Sequence, residues 1–423
     1  MSTIFYMLRG VSLLPGSAGS SAIHSAYVDA APDENGILDG ATALLAEGRW
    51  SLLTRVGVSA RLGRVGRPAR GSGRSRVDLA RRVWVERAGP PLVAALKGCL
   101  SGLEQARARG DRAPLVAAFA ACRVRSVALD AGVQLLIRAC FDEELARVVI
   151  GQLAAEAIPR VSPSLASDEA TAARASYAGC LSLGLLMLAR SEGMQMAGLP
   201  QALDRQADAL LCPTGVATIA AVHVKDPVRP DYLAPTDPQL DRLLKATVDR
   251  LTRVGFDELR VAEVARAAGC TEGLIYRRYA GKQALALDAM RRHYEAVYPF
   301  DGNHAERLRA TYGLGLAQAM MLREYLGPSQ RTTRLLVMEQ LRMTWNDPQL
   351  MSRAMAALDA QRAIRLAGPT RRFQGASDHF LEYALTRGAA VMSMLVPQID
   401  RLPYEVISLP VSEGVATREP GSA

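Results

Sequence analysis

The residues best suited to molecular recognition lie in one short stretch of the second half of the chain. Arg277 and Arg278 each carry a planar fork of N–H donors, which can bind a phosphate or the two acceptor atoms of a guanine edge. Thr271, Glu272 and Gly273 come just before them, where the start of a helix would present unpaired N–H groups to a phosphate. This combination indicates nucleic-acid recognition, with phosphate contacts positioning the protein and Glu272 and Arg277 as candidates for reading bases.

The surrounding residues predict two short helices that would hold these side chains. Val261, Val264 and Ala265 have the spacing of one buried helix face. Gly269 is suited to the left-handed conformation at a helix end, and Thr271 is suited to cap the next helix through its hydroxyl. A helix, a glycine turn and a second helix form the helix-turn-helix arrangement, whose second helix enters the DNA major groove.

The same residues resemble the DNA-binding domain of the tetracycline-repressor (TetR) family of transcriptional regulators. The matching positions are an alanine-rich helix, a turn and cap, and an aliphatic pair followed by aromatic and basic residues: Ala265, Ala268, Gly269, Thr271, Gly273, Leu274, Ile275, Tyr276, Arg277, Arg278, Tyr279, Gly281 and Lys282. The resemblance implies that Tyr276 reaches the DNA backbone or a thymine methyl and that Lys282 clamps a phosphate. One departure is Arg260 or Val261, where the family often has Thr or Ser. Leu274, Ile275 and Tyr279 are expected to be core residues.

A second, fainter copy of this pattern predicts an all-α fold built from two tandem TetR-like units. Gly48 and Gly255 follow similar helices, and residues 136–145 parallel residues 341–350. Residues 59–82, where a first recognition helix would fall, hold several glycines, Pro68 and scattered arginines, which disfavour a helix. We therefore expect the first helix-turn-helix to be degenerate.

The predicted organisation has seven parts. Each unit would consist of a three-helix DNA-binding-type domain and a helical effector or dimerisation domain. In chain order the parts are a disordered tail (1–33), the degenerate helix-turn-helix domain (34–87), an effector-like domain (88–222), a proline-containing linker (223–236), the intact helix-turn-helix domain (237–284), an effector domain (285–410) and a short tail (411–423). Asp237 and Pro238 form a strong helix start after the linker, and Pro299 is expected to end the helix that begins at Lys282.

The net charge of the 423-residue chain is +9, and its location is more informative than its size. Residues 49–87 contain eleven arginines but only two carboxylates, Asp78 and Glu86. Two interpretations stay open for this stretch: a solvated basic loop, and a non-specific phosphate-binding segment beside the operator.

Several classes of protein receive no support. The six cysteines have no metal-ligand spacing, which favours unpaired thiols and a cytoplasmic location. No apolar run reaches the roughly 20 residues that a membrane helix needs. The five histidines are scattered and no nucleotide-binding or hydrolase motif is present, so we predict no enzyme, no catalytic residue, no cofactor and no metal site.

Two further features concern ligands and assembly. Methionines on the second effector domain suit an adaptable pocket for a small-molecule effector, although plain core packing is the alternative. The candidate pocket residues are Tyr298, Met320, Met338 and Trp345. Small residues also crowd the faces of two long helices, which predicts that the two units pair as an intramolecular pseudo-dimer, with a homodimer as the alternative; these residues are Ala172, Ala175, Gly179, Ser182, Gly388, Ala389 and Ser393.

The sequence therefore predicts a DNA-binding transcriptional regulator. It would be a ligand-responsive repressor that reads double-stranded operator DNA through the second helix-turn-helix. The alternative is a helical protein that binds a ligand or a partner and has lost specific DNA binding.

Overall fold

The structure, a computed structural model, describes residues 34–62, 75–157, 168–189, 198–211, 237–312, 314–345, 376–396 and 398–407. Every regular element in these ranges is a helix, which confirms the predicted all-α fold. The predicted tails (1–33 and 411–423) and linker (223–236) lie outside the described residues, as do residues 63–74, the middle of the 59–82 stretch where a first recognition helix would fall.

The described helices of the first half number nine. A π-helical turn, Trp84–Ala88, joins the third to the fourth, so the predicted boundary at residue 87 falls within continuous helical structure. In chain order they are α1 (Glu34–Ala46), α2 (Arg55–Arg61), α3 (Arg76–Val83), α4 (Gly89–Arg109), α5 (Ala113–Ala121), α6 (Val127–Ala139), α7 (Glu143–Glu156), α8 (Glu169–Met187) and α9 (Leu199–Leu211).

Seven helices follow in the described part of the second half. The fourth of them crosses the predicted boundary at residue 284 without a break. They are α10 (Pro238–Glu258), α11 (Val261–Ala268), α12 (Glu272–Arg278), α13 (Lys282–Tyr312), α14 (Leu314–Leu326), α15 (Arg331–Thr344) and α16 (Ala376–Leu395). We call α10, α11, α12 and the start of α13 the reading head.

Side-chain caps explain where several helices begin. The carboxylate of Asp237 accepts the N–H groups of Gln239 and Leu240 at 2.9 and 3.3 Å, with Pro238 in the first turn as predicted. Asp168 caps α8 by accepting the N–H of Thr171 at 2.6 Å. Each cap satisfies backbone donors that have no partner within the helix.

The prediction that a helix ends at Pro299 is wrong, because α13 continues to Tyr312. Proline removes one helical hydrogen bond, but that loss can be outweighed when later turns of the helix are held by packing. Here His304 forms a buried 2.9 Å contact from Nε2 to Oε1 of Glu324 on α14, and Leu308 packs in a small core with Ala317 and Met320. These contacts fix the C-terminal part of α13 against α14.

The two halves meet where α8 crosses α16, and the backbones there are unusually close. A methyl group added to Gly184 would lie 1.7 Å from the carbonyl oxygen of Ala384. A methyl group added to Gly388 would lie 1.7 Å from the carbonyl oxygen of Cys180. The two contacts are reciprocal, since each helix places one glycine against the backbone of the other. The crossing is part of one apolar core with members from both halves, from Leu38 to Ile407.

The starts of the two halves share local backbone geometry. Gly48 after α1 and Gly255 near the end of α10 both have positive φ, 65° and 74° respectively. A second helix follows each of them after a short turn, α2 in the first half and α11 in the second. α1 packs on α6, and α10 packs on α15.

Candidate DNA-binding site

The helix-turn-helix in the reading head has the geometry that the sequence predicts. Gly269 adopts the left-handed conformation, with φ 65°, and ends α11. The hydroxyl of Thr271 caps α12 by accepting the N–H of Leu274 at 3.4 Å. Ile275, which is completely buried, anchors α12 on a core that includes Val264. α12 is therefore fixed to the head by one side while its other side is left to solvent.

The candidate recognition residues share that solvent side. Tyr276 is 56% exposed although it is a large aromatic residue, and Arg277 is also exposed. Thr271, Glu272 and Gly273 are exposed at the N-terminal end of α12. An exposed tyrosine beside an arginine on a helix that is held rigidly from behind can meet a phosphate backbone or base edges. Leu274, Ile275 and Tyr279 were all expected to be core residues. Of the three, Ile275 is fully buried, while Leu274 and Tyr279 are only half-buried.

Arg278 differs from Arg277, because a carboxylate of the head already occupies it. Its Nη2 lies 2.6 Å from Oδ2 of Asp237, the residue that caps α10. The guanidinium lowers the pKa of the Asp237 carboxyl below its ordinary value, mainly through this hydrogen bond. Arg278 therefore ties the end of α12 to the start of α10.

Lys282 is likewise engaged within the protein. Its Nζ donates to the carbonyl oxygens of Phe256 at 2.9 Å and Asp257 at 3.2 Å, and lies 4.4 Å from the centre of the Phe256 ring. Partial burial lowers the pKa of this ammonium group. In this arrangement Lys282 fastens the start of α13 to the kinked turn at the end of α10.

That turn, residues 254–258, is held by charged side chains from outside the reading head, and we call it the head turn. From the second half, the buried carboxylate of Glu339 accepts the N–H of Phe256 at 2.6 Å, and Arg342 pairs with Asp257. Burial raises the pKa of Glu339 to about 7, although Arg342 lies 3.1 Å from its Oε1.

The first half holds the head turn as well. Arg138 of α6 donates to the carbonyl oxygen of Val254 at 3.1 Å. The indole Nε1 of Trp50 lies 3.3 Å from Oε1 of Glu258, and Nη1 of Arg76 lies 2.7 Å from the same oxygen. Sequence reasoning missed these residues. The available signal was a charged residue inside an apolar helical run, as at Arg138 and Glu339, which indicates a buried ionic contact.

The predicted pocket residues are not all brought together. Met338 and Trp345 are buried in the large core, where Nε1 of Trp345 donates to the carbonyl oxygen of Ala46 at 3.0 Å. Met320 belongs to the small core between α13 and α14, and the side chain of Tyr298 lies outside the described residues.

A cavity of about 480 Å³ lies elsewhere, at the junction of the reading head and both halves. Its walls come from α6 and α7, from α10, and from α15 and α16. It combines apolar side chains with charges of both signs, among them Phe141, Ile150, Met394, Glu143, Asp249, Arg253 and Arg331.

Arginines in the basic stretch of residues 49–87 pair with carboxylates wherever their side chains are described. Arg82 contacts Glu34 and Glu86, and Arg87 contacts Asp39. Comparable ion pairs hold Arg49, Arg61, Arg76 and Arg81. These six arginines are therefore engaged within the protein.

Three further observations concern membrane helices, metal ligands and cysteines. None of the described helices has both the length and the apolar character to cross a membrane. Within the described ranges, no three or more His, Cys, Asp or Glu residues are grouped to hold a metal ion. The five described cysteines are free thiols.

Part of the reading head is similar to a known protein family. Residues 243–289 match the family model described as bacterial regulatory proteins, tetR family. No curated protein is significantly similar to the chain. The matched segment contains the head turn, α11, α12 and all seven predicted DNA-binding residues. This match supports a regulator of the TetR family, a family of DNA-binding transcriptional regulators.

Proposed function

We propose that the protein is a ligand-responsive transcriptional repressor that binds operator DNA through α12. The observation that carries this proposal is the exposure of Tyr276 and Arg277 on a helix whose opposite side is anchored by Ile275. The family match over residues 243–289 supports the same role for this helix.

The seven candidate residues take different parts in this proposal. Arg277 and Glu272 read base edges, while Tyr276 and the N-terminal end of α12, with Thr271 and Gly273, contact the phosphate backbone. Arg278 and Lys282 act mainly by keeping α12 in place, because their donors already bind Asp237 and the head turn.

The test is binding of genomic DNA fragments selected by the purified protein. We expect Arg277→Ala to weaken binding by about 5- to 150-fold, the range for loss of one bidentate base contact of ~1–3 kcal/mol. Arg147→Ala removes the same charge from an exposed position on α7 and serves as the matched control. Unchanged affinity for the Arg277→Ala variant, with Tyr276→Ala also silent, would remove α12 as the DNA contact.

We further propose that the chain is a tandem double unit in which the two halves form an intramolecular pseudo-dimer. The reciprocal glycine contacts between α8 and α16, and the positive φ angles of Gly48 and Gly255, support this arrangement. Light scattering tests it, since a pseudo-dimer has the 45.4 kDa mass of one chain without DNA. A strict two-chain assembly mated through α16 would contradict it.

The effector part of the proposal rests on the cavity at the junction. A ligand there would touch α10 and both halves at once, and it can change DNA binding only if its affinity differs between two orientations of the head. Arg253→Ala and Arg331→Ala, tested by calorimetry against small organic acids and zwitterions, should abolish the binding of any effector that uses this cavity. Effector binding that survives both changes would place the site elsewhere.

The second candidate function is a ligand- or partner-binding protein without specific DNA recognition. The engagement of Arg278 and Lys282 within the head favours it, because two of the candidate cations are already occupied. Failure of the purified chain to enrich any genomic fragment, together with effector binding in the cavity, would select this candidate.

A further inference from the structure

The first half has no described recognition helix, yet it makes direct contact with the head of the second half. We infer that the first half is a brace for the reading head, and that Trp50 and Arg76 position the head through Glu258. The inference rests on the proposed function only for its effect on DNA binding, since the mechanical coupling can be measured without DNA.

The contact surface of the brace is small and well defined. Trp50 is 4% exposed, and its Nε1 and the guanidinium of Arg76 converge on the same oxygen of Glu258, at 3.3 and 2.7 Å. The guanidinium of Arg138 lies 4.8 Å from the centre of the Trp50 ring and also donates to the carbonyl oxygen of Val254. Two points of the head turn are thus held from the first half, one near each end.

The position of the head turn sets the position of α12. The turn forms the end of α10 and leads into α11, and Lys282 binds its Phe256 and Asp257 carbonyl oxygens from the start of α13. A displacement of the turn is therefore passed to helices on both sides of α12. Glu339 and Arg342 hold the same turn from the second half. The head orientation consequently depends on both halves.

A contact that only stabilised the fold would lower global stability when broken, whereas the brace should affect mainly the head. The side chains of Arg76 and Glu258 are 32% and 35% exposed, and ion pairs at that exposure contribute little to global stability. Breaking this pair should leave the fold intact while it loosens the head. Arg81 offers a matched comparison, because it lies on the same helix α3 and pairs with Glu144 of the first half.

Hydrogen exchange of the full-length protein, without DNA, tests the brace. We expect Arg76→Glu to speed exchange of the α11 and α12 amides by about fivefold or more, the factor for loss of a pair near ~1 kcal/mol. Arg81→Glu, which changes the net charge equally, should leave those amides unchanged. The double variant Arg76→Glu with Glu258→Arg should restore slow exchange. Equal effects of the two single variants, or no restoration, would overturn the inference.

A milder change keeps the test valid if charge reversal prevents folding. Trp50→Phe removes the Nε1–H donor to Glu258 and retains an aromatic ring beside Arg138, so it should speed exchange in the head by about two- to fivefold. The variants with faster exchange in the head should also bind the selected DNA more weakly, so Arg76→Glu should bind it more weakly than Arg81→Glu. If the wild type and every variant fail to bind DNA, the proposed function fails, while the exchange result still decides whether the brace exists.

Discussion

The crossing of α8 and α16 gives the sharpest prediction, because the same substitution should have opposite effects at two helical glycines. We consider Gly388→Ala at the crossing and Gly151→Ala on α7. The methyl group at residue 388 would lie 1.7 Å from the carbonyl oxygen of Cys180, whereas nothing lies within 4 Å of a methyl group at residue 151. Only the first change therefore forces helices apart.

The magnitude follows from the distances. A carbon and a carbonyl oxygen approach to about 3.3 Å, so the helices must separate locally by about 1.6 Å. The obstructing atoms belong to the backbones of Cys180 and Gly184, which cannot rotate away as a side chain would. Overpacking of this kind costs about 3 kcal/mol or more, and the better helix propensity of alanine returns about 1 kcal/mol. Gly388→Ala should lower the free energy of unfolding by at least about 2 kcal/mol.

Urea unfolding followed by circular dichroism measures both changes. Gly151→Ala should raise the free energy of unfolding by about 0.5–1 kcal/mol, because alanine has a better helix propensity than glycine and its methyl group meets no steric conflict there. Gly184→Ala, which meets the carbonyl oxygen of Ala384 at 1.7 Å, should behave like Gly388→Ala. If the variants at residues 388 and 151 shift the urea midpoint in the same direction, the close packing of α8 on α16 is refuted.

Two other predictions concern a buried charge and a helix cap. Burial raises the pKa of Glu339 above its unfolded value to about 7. The wild-type free energy of unfolding should therefore fall, relative to that of Glu339→Gln, by up to ~3 kcal/mol as the pH rises from about 4.5 through 7. A constant difference between the two proteins over that interval would contradict the assignment. Asp168→Ala should lower the free energy of unfolding in urea by about 1 kcal/mol, because the α8 cap is lost. Asp168→Asn should retain most of the cap's contribution to stability. Equal losses in the two variants would show that the cap is not responsible.

Local signals in the sequence were sufficient for the parts of the fold that depend on neighbouring residues. Gly269 ends α11 and Thr271 caps α12 because a left-handed turn and a hydroxyl cap each need only a few adjacent atoms. Asp168 and Asp237 were predictable as caps for the same reason. The exposure of the α12 face agrees with the pattern of aromatic and basic residues around Ile275.

Contacts between distant parts of the chain were not predictable in this way. Glu339 binds the N–H of Phe256, which lies 83 residues away, and no periodicity links the two. Arg278 and Lys282 are free cations as far as the sequence shows, but tertiary structure places a carboxylate and two carbonyl oxygens beside them. Pro299 failed as a helix end because the packing of α13 against α14 outweighs its local penalty.

The location of the α8–α16 contact within one polypeptide has a consequence for how the protein can change. In a homodimer with two-fold symmetry every substitution appears twice, once on each side of the axis. In the proposed pseudo-dimer a substitution in α8 would leave α16 untouched, so one half could lose a feature while the other keeps it. The covalent connection also holds the two halves at a fixed effective concentration, and their association does not weaken on dilution. If the proposed pseudo-dimer is correct, the regulator would stay assembled when only a few copies are present.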